Sequence, residues 1–302
     1  MSNIIFGPIP SRRFGISLGV DLSPDTKQCN FDCLYCELKP AKTVDKMNSY
    51  PSVDEVLEAI ENSFKKYPKI DMITITANGE PTLYPKLDEL ITKIDKIKKD
   101  AKTLILSNGS TIYKQEIFDA LLKFDTVKLS LDCVSQKCFK KLDRIHENID
   151  IEKIVESMIS FRSKSTKSFV LEILFVKDLN DKENEIELLY EAVKKINPHR
   201  VDIGTIDRPP AYEVKPVSFE TLESIAKRFE NINVNIAFKN RPKQLNSYTN
   251  DEILSLFERR PLTLEDIDNM FDENSKKELE KLVKSSKISL VDSAGLNFYK
   301  IC

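Results

Sequence analysis

Short β-rich runs alternate with longer amphipathic helical segments for most of the chain, and this alternation restricts the possible folds more than any other feature. Strands are predicted near residues 17–22, 72–76, 103–106, 126–131, 169–176 and 201–206. Helical periodicity fills the gaps at 53–66, 86–99, 114–123, 151–163 and 184–195. Helices of this length between strands imply βαβ units and a parallel sheet. Six such strands fit a partial (β/α)6 TIM-like barrel, although a doubly wound open sheet would give much the same pattern. The segment 218–239 reads as one further helix and strand. Beyond it the pattern changes to three short helices (250–257, 264–271, 275–284) and two strands (288–291, 297–301) around a turn at Ser293-Ala294-Gly295. That order is winged-helix-like, so we expect a main α/β domain over 1–244 and a small C-terminal domain over 245–302.

With 302 residues and 41% apolar content, the chain can bury a sizeable core. A formal net charge of −2 gives no global basic field for nonspecific nucleic-acid binding. No apolar run approaches a signal peptide or a membrane span, so a cytoplasmic location is expected. Thiols stay reduced there, and the six cysteines are then expected as metal ligands or isolated thiols rather than disulfides. The two histidines, His146 and His199, are too few for an ordinary zinc hydrolase and carry no metal spacing.

The densest chemical signal is Cys29-Asn30-Phe31-Asp32-Cys33-Leu34-Tyr35-Cys36, a C-x3-C-x2-C loop just after the first predicted strand. Three thiolates in eight residues can hold three corners of a cubane iron–sulfur cluster and leave the fourth iron open to another ligand. A structural zinc site is the alternative. It would need a fourth ligand from Cys133, Cys138, Cys302 or a histidine.

At this loop the sequence resembles the radical S-adenosylmethionine superfamily, and the likeness extends over roughly residues 1–240. Tyr35 stands where the superfamily has an aromatic residue before its last cysteine, and the resemblance gives it contact with adenine. Ala77-Asn78-Gly79-Glu80-Pro81 follows the second predicted strand and is similar to the Gly-Gly-Glu segment that receives the methionine amino group, with Asn78 in place of the first glycine. Gly79 and Glu80 are therefore candidate cofactor contacts, and so is Ser130 at the end of the fourth strand. Ser107-Asn108-Gly109 resembles the family's Thr-Asn-Gly, with Ser107 pointing toward the substrate space. The resemblance implies Cys29, Cys33 and Cys36 as ligands of a [4Fe-4S] cluster. It implies S-adenosyl-L-methionine as partner, reductive cleavage to a 5′-deoxyadenosyl radical, and hydrogen abstraction from a substrate such as RNA (tRNA) or a peptide or protein. The electron donor implied is a flavodoxin or ferredoxin.

The stretch Gly7-Pro8-Ile9-Pro10-Ser11-Arg12-Arg13-Phe14-Gly15-Ile16-Ser17-Leu18-Gly19 resembles a subgroup associated with wyosine-type tRNA-modifying Fe–S oxidoreductases. Arg12 and Arg13 are candidates to neutralise a cofactor carboxylate or a substrate phosphate, or else they form surface salt bridges. Arg208, in Arg208-Pro209-Pro210, is a further candidate contact. Glu172 stands in an apolar strand, so it either faces a functional interior or pairs with a base on a helix. Cys133 and Cys138 are too few for a second cluster and are expected to be inert thiols. From Asn246 onward, eight Lys+Arg face eleven Asp+Glu, a poor surface for phosphate contact. A protein-docking or lid module is the other reading of this region. The competing function is an Fe–S redox-sensing regulator with a DNA-binding winged helix.

Overall fold

The computed structural model describes residues 4–11, 14–229, 231–236, 245–259, 261–293 and 296–302. Its first unit is built from strands and helices in near-regular alternation. The order is β1 (Ile5–Ser11), β2 (Gly15–Asp21), α1 (Val53–Lys66), β3 (Met72–Thr76), α2 (Leu87–Ile97), β4 (Lys102–Ser107), α3 (Gln115–Lys123), β5 (Thr126–Ser130), α4 (Gln136–Leu142), α5 (Ile151–Lys164), β6 (Ser168–Phe175), α6 (Glu183–Ile196), β7 (Arg200–Thr205), α7 (Phe219–Arg228) and β8 (Val234–Ile236). A 3-10 turn, Pro81–Leu83, follows β3.

The eight strands form one sheet in strictly sequential order. From β2 to β8 every pairing is parallel, and β1 is added antiparallel to β2. This order decides between the two folds that the alternation left open. A doubly wound sheet reverses direction at a switch point, whereas sequential order with right-handed crossovers puts all helices on one face and curls the sheet. The fold is a partial TIM-like barrel.

Local sequence explains the individual elements. In α1, Ser52 and Glu55 form a capping box, with Glu55 N–H donating to Ser52 Oγ at 3.3 Å and Ser52 N–H to Glu55 Oε2 at 2.7 Å. Val53, Val56 and Ile60 then fall on one buried stripe. The parallel strands read as apolar runs because both faces are covered; Val170, Leu171, Ile173 and Phe175 of β6 are all buried. Phe161 of α5 packs edge-on against Phe118 of α3 at 5.4 Å and Phe169 of β6 at 5.3 Å between ring centres.

The rest of the chain folds as α8 (Asn250–Arg259), β9 (Leu262–Thr263), α9 (Leu264–Met270), α10 (Glu273–Lys284), β10 (Ile288–Ser293) and β11 (Leu296–Ile301). Its three strands form a separate sheet of order β10-β11-β9. A second apolar cluster here includes Tyr248, Ile253, Phe257, Phe271 and Leu282, and it takes in Ile9 of β1. Tyr248 Oη donates to the Pro8 carbonyl at 2.8 Å. The C-terminal elements thus dock on the antiparallel hairpin that begins the barrel. Of the turn predicted between the last two strands, Ala294 and Gly295 lie outside the described residues, as do Arg12 and Arg13.

Candidate functional site

After β2 the chain leaves the sheet and crosses the C-terminal ends of the strands as a long loop that carries the three spaced cysteines. The loop is held on four sides. Gln28 lies directly on Gly79: its N–H donates to the Asn78 carbonyl, and its carbonyl accepts from Glu80 N–H, both at 2.9 Å. A Cβ on Gly79 would stand 1.9 Å from the Gln28 carbonyl oxygen, and φ there is +133°. Only glycine permits this approach. Next to it, Asn30 bridges to the end of β4, donating from Nδ2 to Ser110 Oγ at 2.6 Å and accepting from Asn108 Nδ2 at 2.9 Å. Behind, the N–H groups of Asp32 and Leu34 donate to the carbonyls of Asp143 and Leu142 at the end of α4. From the β7–α7 loop, Ala211 N–H donates to the Cys36 carbonyl at 2.8 Å.

Buried polar groups crowd this rim. Glu80 is 1% exposed, and its carboxylate accepts from Thr82 N–H, Thr82 Oγ1, Ser107 Oγ and Asn108 N–H at 2.6–2.9 Å. Burial raises its pKa against those donors. The Glu80 side chain therefore ties β3 to β4 in the wall, and Ser107 is engaged in that wall rather than pointing toward open space. Tyr35 donates its hydroxyl to Asp132, which also accepts from Leu174 N–H at 2.7 Å. Burial pushes the Asp132 carboxyl up to about 7. Asp32 is fixed by Tyr212 Oη at 2.5 Å and lies near Lys27 and Arg144.

The three thiols lie within electrostatic reach of one another. Burial, followed by the negative charge of Glu80, pushes Cys29 up to about 12. Burial and then Asp143 raise Cys33, and burial raises Cys36. A metal that takes these sulfurs displaces their protons. Lys27 Nζ lies 3.7 Å from Cys36 Sγ, and Asn108 Nδ2 3.8 Å from Cys29 Sγ.

The donor set fits a multi-iron centre. Among the described residues, the only trio of Cys, His or carboxylate ligand atoms within 4.8 Å of one another is Cys133, Cys138 and Glu185. The loop sulfurs are thus spread more widely than the ~3.8 Å expected between sulfurs on one tetrahedral zinc, from Zn–S bonds of about 2.3 Å. Two buried carboxylate oxygens in this region, Asp32 Oδ1 and Asp143 Oδ2, have no hydrogen-bond partner. A loop arranged around these sulfurs and acids accommodates a bound group better than an apolar core.

Tyr35 and Cys36 face a cavity of about 580 Å³ inside the barrel. Its lower wall includes Lys128 and Glu172, which pair across β5 and β6, and Lys128 also lies 3.3 Å from Asp202 of β7. Glu172 therefore faces the interior, and its basic partner comes from a strand, not a helix. Arg208 lines the upper wall and is held by Glu37 through NH1 at 3.0 and 3.1 Å. Glu258 of α8 reaches the same cavity. Ser130 ends β5 half-buried, opposite Glu172 in register. His199 accepts from Phe169 N–H through Nδ1 at 3.0 Å, a structural contact.

Sequence reasoning missed Lys128, Asp132, Asp143, Lys27 and Tyr212 as members of this region. Lys128, a charge between Val127 and Leu129 of β5, was the available signal. The others are brought together only by tertiary contacts. One cysteine expectation is corrected. Cys133 and Cys138 are joined by a disulfide, because five positions of separation span the turn into α4 and place their Cα atoms 5.6 Å apart.

The model of the radical SAM superfamily matches residues 23–190, which contain the cysteine loop and strands β3 to β6. A UPF0026 protein of Helicobacter pylori strain J99 is 43% identical over 299 residues, covering 98% of this chain and 97% of that one. Among solved structures, SuiB of Streptococcus suis bound to its precursor peptide SuiA superposes with a TM-score of 0.58 at 18% identity, over 77% of this chain and 50% of that one. A radical SAM methyltransferase from Sphaerobacter thermophilus gives 0.58 at 13% identity, over 74% and 66%. Among the described residues no helix is long and apolar enough to cross a membrane. These matches favour an enzyme over the DNA-reading regulator. The sequential parallel sheet, the cysteine loop across its C-terminal edge and the match over 23–190 together make the chain a member of the radical SAM superfamily, an enzyme that works with a [4Fe-4S] cluster and S-adenosylmethionine.

Proposed function

We propose that Cys29, Cys33 and Cys36 are the protein ligands of the cluster and that S-adenosylmethionine binds between this loop and the ends of β3 to β5. Held by these three thiolates, a reduced cluster would supply the one-electron chemistry that cleaves S-adenosylmethionine and so activates a substrate for hydrogen abstraction. The observation that carries this reading is the Gln28–Gly79 contact, which sets the cysteine loop directly against the strand end where the cofactor's amino group is expected. Backbone groups of 78–80 face that junction, while the Glu80 carboxylate holds Ser107 and Asn108 in place behind it. Tyr35 is fixed by Asp132 with its ring at the cavity, where it can support the adenine and exclude water. Ser130 closes the same edge on β5.

The substrate group enters the 580 Å³ cavity, with Lys128 and Glu172 below and Arg208 above. This volume suits one residue of a larger molecule or a small metabolite. We divide the chain at 244/245 and assign residues 245–302, through Glu258, a role at the cavity rim. A macromolecular substrate, RNA or a peptide, is supported by that second unit beside the mouth. A flavodoxin or ferredoxin in the cytoplasm would supply the electron.

The test is anaerobic. Reconstituted, chemically reduced protein given S-adenosylmethionine should form 5′-deoxyadenosine and methionine. Cys29→Ser, Cys33→Ser and Cys36→Ser should each reduce that to the level without protein. Undiminished turnover in all three variants would refute the assignment.

A further inference from the structure

Behind the cysteine loop lies a second sulfur pair that the proposed radical chemistry does not use. Cys133 is fully buried three residues past the end of β5, Cys138 is half-buried in the first turn of α4, and the two are bonded. The chain touches the cluster loop on both sides of the six-residue ring they close. On one side, Asp132 receives the Tyr35 hydroxyl. On the other, α4 runs on to Leu142 and Asp143, whose carbonyls receive Leu34 and Asp32 N–H at 2.9 and 3.0 Å. Between these points Phe139 of α4 packs edge-on against Phe31 of the loop at 5.2 Å.

The two ends of the ring are not equally anchored. Asp132 is pinned independently: its carboxylate accepts from Leu174 N–H, and its carbonyl from Asn180 Nδ2 at 2.8 Å. The α4 side depends on the turn 133–138. There Glu185 receives Val134 N–H, Ser135 N–H and Ser135 Oγ at 2.7–3.0 Å. These bonds do not involve sulfur, so they keep the turn closed when the disulfide opens and hold the two thiols in place to re-form it. They also commit both Glu185 oxygens, which leaves two sulfurs and no free carboxylate for a metal ion at this trio.

We propose that Cys133 and Cys138 form a reversible thiol–disulfide site whose state sets how firmly α4 supports the cysteine loop. A dithiol of the thioredoxin class is the reductant. One of its thiolates attacks Cys138 Sγ, the less buried sulfur, and the Cys133–Cys138 bond breaks. Cys133 leaves as thiolate and takes a proton. The reductant's second thiol then displaces Cys138, which takes the second proton. Two electrons and two protons pass to the protein, and the reductant becomes a cyclic disulfide. Oxidised, the ring clamps the start of α4 to β5; reduced, α4 is held by Glu185 and packing alone, and the loop it supports opens more often.

The test uses cluster-loaded protein carrying Cys302→Ser, which removes the exposed thiol. Kept free of oxygen, it is equilibrated with either oxidised glutathione or dithiothreitol. Alkylation and peptide mapping read the state of 133–138, and an iron chelator reads the rate of iron release. The disulfide should form in the first sample and be absent in the second, with iron released roughly threefold or more faster from the second. Cys138→Ser, at the half-buried position, should release iron at the fast rate under both conditions. The proposal is overturned if both thiols remain alkylatable in oxidised glutathione. It is equally overturned if iron release is the same in the two states, or if the reduced protein holds stoichiometric zinc through Cys133 and Cys138.

Discussion

At the C-terminal ends of the strands, Glu80, Thr82, Ser107, Asn30 and Asp132 are buried among polar partners. Between sheet and helices the interior is apolar, with Phe161, Phe169, Leu189 and Ile203 fully enclosed. Both regions are buried, but they do different work. The apolar layer tolerates small shifts because its contacts are non-directional. In the rim most polar groups have a specific donor or acceptor, and Glu80 alone accepts from four donors, two on Thr82 of the 3-10 turn and two on Ser107 and Asn108 at the end of β4. A buried polar network is stable only when its members are paired, so it fixes positions more sharply than it adds stability. The same barrel therefore separates a region that keeps it folded from a region that shapes the site.

That separation can be challenged by substitution. The largest effect is expected from Cys33→Ser, which should abolish both iron retention and 5′-deoxyadenosine formation while leaving the melting profile of the iron-free protein nearly unchanged. Phe161→Ala removes a ring that packs on two others, and a loss of about 3–5 kcal/mol is expected in denaturant titration. Iron per folded chain should stay the same; a matching loss of iron would break the distinction. Gly79→Ala should cost about 3 kcal/mol, because the new methyl meets the Gln28 carbonyl and the backbone is left-handed there. This variant should lose iron well before it loses helical circular dichroism. The smallest effect belongs to Ser52→Ala, whose hydroxyl bonds Glu55 in an exposed cap at the start of α1. Loss of the cap should cost about 1 kcal/mol without change in iron content.

Elements with long, clean patterns were legible from the sequence. Val53–Lys66 and Met72–Thr76 fall where periodicity put them, because an apolar stripe or run decides them locally. β1 was not foreseen. Pro8 and Pro10 argue against a strand, yet an edge strand tolerates missing donors, and β1 pairs on one side only. The short α4 was likewise invisible at seven residues. Within the site, the cysteine loop and Asn78-Gly79-Glu80 were legible because their residues are contiguous. The Tyr35–Asp132 bond joins residues 97 positions apart and has no local signature. Glu80 was expected to face a ligand; in the structure its carboxylate accepts from Thr82 in the 3-10 turn and from Ser107 and Asn108 at the end of β4. Cys133 and Cys138 were expected as thiols from the redox state of the cytoplasm, a prior that does not see a Cα separation of 5.6 Å.

Electron paramagnetic resonance of the anaerobically reduced protein, recorded before and after adding S-adenosylmethionine, tests the central claim most directly. Three loop thiolates holding the cluster would leave one iron free for the added ligand, so the signal of a reduced four-iron cluster should appear and then change in g values when S-adenosylmethionine binds. A signal that is insensitive to S-adenosylmethionine, or a protein that carries only zinc at Cys29, Cys33 and Cys36, would contradict the account.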